Sequence, residues 1–79
     1  MPRFFFHVHD GKNIRDDEGE ELPHLQAARV EAIALAGRIV SNEAERIGLG
    51  EDWSMDVMDE NGRLVFQPAL LVVETPPSG

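Results

Sequence analysis

Residues 24–47 read HLQAARVEAIALAGRIVSNEAERI. Pro23 stands just before this run, a place that suits a helix entrance and not a helix interior. At a helical turn of about 100° per residue, Leu25, Ala28, Ala32, Leu35 and Ile39 form one apolar stripe. Val30, Ile33, Gly37, Val40, Ala44 and Ile47 form a second stripe beside it. Together they span roughly 200°, wider than the ~100° stripe that a helix resting on one sheet needs. The excess calls for a second surface. Glu31, Arg38, Ser41, Asn42 and Glu45 occupy what remains, as a plain solvent face. Gly48 fits a left-handed cap with Leu49 folding back, so the helix is expected to run through Ile47 and stop there.

On both sides of this helix the period changes from 3.6 to 2. In residues 3–9, Phe4, Phe6 and Val8 share one face and Arg3, Phe5, His7 and His9 the other, as in a half-buried strand. Asp10-Gly11 is a hairpin signal, and residues 12–16 are expected to return as a short second strand carrying Ile14. Asp17-Glu18-Gly19 makes a further turn. After the helix, Trp53, Met55 and Val57 alternate with Ser54, Asp56 and Met58. Asp59-Glu60-Asn61-Gly62 then turns the chain, since Asn and Gly accept positive φ at little cost. A two- or four-residue loop would put Leu64 and Phe66 on the face of Met55 and Val57. A plain three-residue loop without a bulge would set Phe66 opposite Asp56 and is rejected on packing grounds. Phe5, Met58 and Val65 are expected on the outer face. Pro68 removes a ladder donor and implies an edge position or a bulge. The run Ala69-Leu70-Leu71-Val72-Val73 is uninterrupted and apolar, and must be covered, either as a strand in cis or as an arm over a neighbouring subunit.

The expected architecture is one α+β domain over residues 1–74, of ββαββ order. A mostly antiparallel sheet of three or four strands carries one long helix across one face, and a right-handed crossover can bring the first strand beside one of the last pair. Residues 75–79, Thr-Pro-Pro-Ser-Gly, read as a disordered tail.

Composition narrows the function. The chain has 79 residues, 15 acidic against 7 basic, a formal net charge of −8 and no cysteine. A chain this short buries only about 60% of its unfolded surface, which leaves little room for a large active-site cleft. The missing cysteines exclude disulfides, thiolate chemistry and sulfur-ligated zinc, and suit a reducing compartment. No segment reaches the ~18 apolar residues of a membrane span, and the start of the chain lacks the apolar length of a signal peptide, so the expected location is the cytoplasm. Arg3, Lys12, Arg15, Arg29, Arg38, Arg46 and Arg63 are scattered, whereas Asp10, Asp16, Asp17, Glu18, Glu20 and Glu21 crowd one stretch. Binding to nucleic acid is not expected of such a charge distribution; a basic partner, or solubility alone, is more natural.

His7 and His9, on one strand face with Asp10 at its end, are the sharpest candidates for chemistry, because imidazole and carboxylate form a usable metal ligand set. No third ligand is specified, and paired histidines on an exposed strand are more often plain polar residues, so no metal or cofactor is assigned. The acidic stretch from Asp16 to Glu21 fails the spacing of a calcium loop and reads as a solvated turn that discourages edge pairing. Ser41, Ser54, Thr75 and Ser78 are the only hydroxyls, none in a nucleophile or phosphate-binding motif. Asp56, Asp59 and Glu60 sit beside a solvated turn that gives no reason for a raised pKa. No catalytic residue is proposed. Phe4, Phe6, Trp53 and Phe66 are assigned to the core and not to a stacking platform.

Three stretches together carry a family likeness: Pro2-Arg3-Phe4-Phe5-Phe6-His7 with Asp10-Gly11, Asp17-Glu18-Gly19-Glu20-Glu21-Leu22-Pro23 followed by Leu25 and Ala27-Ala28-Arg29, and Val57-Met58-Asp59-Glu60-Asn61-Gly62-Arg63-Leu64. Over about residues 2–68 the chain resembles a family of small uncharacterised proteins from rhizobia, methylobacteria and related alphaproteobacteria, known only as a domain of unknown function. That resemblance implies no activity, ligand or catalytic residue. Its members usually carry Asp, Ser or Thr where this chain has His24, so the helix cap here is weaker by about 1 kcal/mol unless neutral His24 accepts the bond. The chain also has a fainter similarity to bacterial antitoxins, whose small domains place an acidic turn and a Leu-Pro ahead of an Ala- and Glu-rich helix.

The expected function is a non-enzymatic interaction module that self-associates, as a dimer, through one of three places: Val30, Ile33 and Val40 of the second helix stripe, Phe5 of the outer sheet face, or Leu70, Leu71, Val72 and Val73 of the apolar run. The rival readings are an antitoxin-like protein that masks a basic partner, and a metal-binding protein that uses His7 and His9.

Overall fold

The structure, a computed structural model, describes residues 1–48, 52–73 and 75–76. The elements run β1 (Arg3–His9), β2 (Asn13–Ile14), β3 (Glu20–Glu21), α1 (Leu25–Asn42), α2 (Ala44–Gly48), β4 (Trp53–Asp59), β5 (Leu64–Phe66) and β6 (Ala69–Leu70). This is an α+β fold: one antiparallel sheet with one long helix. Its order is β2-β1-β4-β5, with β3 beside β1 and β6 beside β4. The central rungs pair Phe6 with Val57 and Val8 with Met55. Alternation therefore sends Phe4, Phe6, Val8, Trp53, Met55 and Val57 into one buried layer, as the period of 2 predicts. Met55 and Val57 are fully buried, each adding about 1.5–3 kcal/mol by removal from water. β1 does lie beside β4, but the two run antiparallel, so no parallel crossover forms.

Ala28 and Ala32 of α1 are the helix residues in complete contact with the core, and their small size lets the helix axis approach the sheet closely. Leu35, Ala36, Ile39 and Val40 pack around them. Two expectations for the helix need correction. Leu25, in the first turn, is half exposed and lies past the end of the core. The helix also does not run unbroken to Ile47: it pauses at Glu43, whose N–H is shared between the carbonyls of Ile39 and Val40. Ser41 and Asn42 are weak helix formers, and the pause redirects α2 so that Ile47 reaches the core beside Trp53. Gly48 closes α2, while Leu49 lies outside the described residues. At the other end His24 Nδ1 accepts the Ala27 N–H at 3.1 Å, so the neutral imidazole is the cap.

The turns hold further differences. Asp59 accepts the Gly62 N–H and donates its own N–H to the Arg63 carbonyl, which makes a three-residue loop with Gly62 at φ +78. Neither a two- nor a four-residue loop is present. A register shift between Val57 and Met58 then sets Phe66 opposite Val57 and Leu64 opposite Met58. The bulge thus rescues Phe66 for the inner face, as packing demanded. It also reverses two expectations, because Leu64 is exposed on the outside and Val65 packs against the core.

Glu20–Glu21 forms an unexpected strand on Phe4 and Arg3, where the sequence suggested only a solvated turn. Pro68 separates β5 from β6 on the edge, its carbonyl accepting the Met55 N–H. Of the apolar run, Ala69 and Leu70 add to the sheet in cis opposite Ser54 and Trp53, and residues 71–73 continue past it. In the tail, Thr75 and Pro76 are exposed; residues 74 and 77–79 lie outside the described residues.

Candidate functional site

The sheet has one face under α1 and one face open. On the open face Phe5, Met58 and Leu64 form a cross-strand apolar row, since Phe5 pairs with Met58 and Met58 with Leu64. Phe5 and His7, two residues apart on β1, present nearly parallel rings, 6.4 Å between centroids and 9° between planes. Polar groups surround this centre. A groove of about 650 Å³ is lined by Phe5, His7 and Met58 with Ile14 at one end and carboxylates along its rim.

One side of the groove is built by Asp16. Neither β2 nor β3 covers the middle of β1, and the Asp16 side chain fills that gap. Its Oδ2 accepts the Phe6 N–H at 3.1 Å, its Oδ1 accepts the N–H groups of Glu18 and Gly19, and its own N–H donates to His7 Nδ1 at 3.0 Å. Burial pushes this carboxyl upward, but the three backbone N–H groups outweigh it and hold Asp16 below the usual carboxylate range. Gly19 completes the loop at φ +70, where an added Cβ would lie 2.8 Å from both the Phe4 carbonyl oxygen and the Phe5 ring. Only glycine fits.

His9 is clamped. Its Nε2 lies 2.8 Å from Asp56 Oδ2 and its Nδ1 meets Asn13 Oδ1, so each ring nitrogen faces an oxygen acceptor. The Asn13 bond, then Asp56, raise its pKa above the ordinary histidine value. Asp56 is lowered in turn: burial opposes its ionisation, but Gln67 and His9 prevail.

Asp10 is not part of this group. Its side chain is buried at the α2 end of the sheet, where Oδ2 meets Arg46 Nη2 at 2.8 Å and its carbonyl accepts Arg46 Nη1. The Arg46 hydrogen bond holds Asp10 below its usual pKa, against the effect of burial. His7 and His9 therefore share a face while Asp10 is committed elsewhere. Among the described residues no cluster of three or more His, Asp or Glu side chains is arranged to hold a metal ion.

The apolar candidates divide by position. Val30 and Ile33 are exposed on the flank of α1, Ile33 at 62%, whereas Val40 is drawn partly into the core. Arg29 on the same helix stacks over the Phe66 ring at 5.9 Å, which places that flank on the β5–β6 side of the sheet. Beyond β6, Leu71, Val72 and Val73 are 83%, 58% and 68% exposed, and Leu70 is at the margin of exposure. Phe5 is half-buried, with its ring against Gly19.

Residues 3–70 match the family model of the domain of unknown function DUF6894. The chain belongs to the DUF6894 family. No curated protein and no solved structure matches it. In this DUF6894 member, residues 71–73 lie just past the matched span. No helix among the described residues is long and apolar enough to cross a membrane.

Gln67 and Arg46 were not singled out from the sequence, and Asp16 and Asp56 were weighed there only as solvated carboxylates beside turns. Asp16 did leave a local trace, because an Asp followed three residues later by Gly is a turn in which the carboxylate takes up backbone N–H groups. Asp56 and Gln67 leave none, since their roles depend on strand register.

Proposed function

We propose that this DUF6894 protein is a cytoplasmic, non-enzymatic module that self-associates as a two-fold dimer through its β5–β6 side. The observation that carries this reading is the exposed apolar run Leu70, Leu71, Val72 and Val73 on and beyond the edge strand, with Val30 and Ile33 also exposed on α1. An exposed apolar edge is a template for pairing with another strand. A two-fold axis lets each chain's residues 70–73 pair antiparallel with their own counterpart, so no open edge is left.

Size-exclusion chromatography with light scattering tests the reading. Twice the mass of the 8.8 kDa chain is expected at high micromolar concentration, and a clean monomer there overturns it.

A further inference from the structure

Distinct in its residues from the 70–73 edge, the groove over the outer sheet face has an apolar floor and an acidic rim. Its lining includes five carboxylates, on Asp16, Asp17, Asp56, Asp59 and Glu60; Arg15 pairs with Asp17 at 3.1 Å, and Arg63, outside the lining, with Asp59 at 3.6 Å. The stacked Phe5 and His7 rings and the Met58 side chain give the groove a polarisable, partly apolar lining among those acids.

We propose that this groove binds an arginine-bearing, extended segment of a partner protein. The chemistry of the site selects that occupant. A planar guanidinium stacks on aromatic rings while its edge N–H groups reach carboxylates, and its three-methylene stem is apolar. A lysine ammonium has the charge but not the plane. A phosphate-bearing ligand would meet repulsion from the rim and from the net charge of −8. Asp16 is fully engaged with backbone N–H groups and Asp56 with His9 and Gln67, so they shape the groove and supply field. Glu60, exposed in the β4–β5 turn, is the rim acid best placed to meet an incoming guanidinium. This surface is separate from the self-association edge, and the two proposals stand or fall independently.

Backbone amide NMR of the full chain, titrated with hexa-arginine, hexa-lysine and a neutral Gly-Ser peptide of equal length, tests the assignment. The expected result is saturable shifts centred on Phe5, His7 and Met58, tighter for hexa-arginine than for hexa-lysine, absent for the neutral peptide and weakened by added salt. Glu60→Lys is expected to weaken hexa-arginine binding by about tenfold, with the folded spectrum retained. Phe5→Leu is a second probe that keeps the apolar contact but removes the stacking surface. It should bring the two cationic peptides to equal affinity. Equal affinities in the wild-type chain, shifts confined to Glu18, Glu20 and Glu45, or no shift at all overturn the proposal.

Discussion

The two edges of this sheet are finished in opposite ways. Along the β2–β3 edge the chain spends charged residues: Glu20 and Glu21 face solvent, and the Asp16 carboxylate takes the place of a missing strand rung against the Phe6 N–H. Another strand finds little there to pair with. Along the β5–β6 edge the chain runs from Phe66 through Pro68 into exposed leucine and valine, with no charge between Arg63 and residue 73. One edge is closed by chemistry and the other is left apolar and exposed. The lesson is that the open edge is not a general failure of a small chain to cover itself, because the same molecule closes its other edge with side-chain hydrogen bonds.

Substitutions can break this contrast, beginning at the closed edge. Gly19→Ala is expected to have the largest effect, about 2–4 kcal/mol in urea denaturation, because the new methyl meets backbone and ring at a positive φ. Asp16→Ala should cost about 2–3 kcal/mol by leaving backbone donors without acceptors. Loss of amide-exchange protection at Phe6 would locate the damage. If either variant unfolds as the parent does, the closed edge is not held in the way described.

Titration gives a third, smaller handle. Asp10, Asp16 and Asp56 all lie below their ordinary values, so the folded state binds fewer protons than the unfolded chain in acid. Their contribution is complete above about pH 4 and is lost as pH falls through the lowered values. His9 acts in the opposite sense: its raised pKa gives a contribution that is complete below about pH 6.5 and lost as pH rises through the raised value. Thermal melts across pH should therefore peak in the mildly acidic range, and His9→Gln should flatten the alkaline side and, because His9 helps hold Asp56 low, weaken part of the acid side as well. At the open edge, Leu71→Lys with Val73→Lys should change the stability of the isolated chain by less than about 0.5 kcal/mol. The same pair should convert dimer to monomer in light scattering, which makes it the sharpest test of the contrast.

Much of the fold was legible because it rests on period. The alternation of Phe4, Phe6 and Val8, the matching alternation of Trp53, Met55 and Val57, and the Ala28–Ala32–Leu35 stripe need only neighbours a few residues away. What escaped depends on distant pairings. The Val65 bulge follows from fitting a three-residue loop to the demand that Phe66 face inward. The pause at Glu43 goes with Arg46 reaching Asp10, 36 residues earlier. The candidate site was partly legible: Phe5 and Met58 on the outer face could be read from the sequence, but Leu64 stands there in place of Val65, and the run 69–73, expected to be covered, leaves residues 71–73 exposed. The clamp on His9 and the separation of Asp10 from it could not, because Asp56 approaches from a strand 47 residues away.

Trp53 is the sole tryptophan in a chain without tyrosine, and it is buried opposite Leu70, the last strand residue before the apolar extension. Its indole Nε1 has no hydrogen-bond partner among the described residues. Light absorbed at the red edge of the near ultraviolet is therefore emitted from one buried ring at the root of that extension. Any event that peels the C-terminal strand away and admits water to the indole would move its emission to longer wavelength, giving an unlabelled optical readout of strand docking.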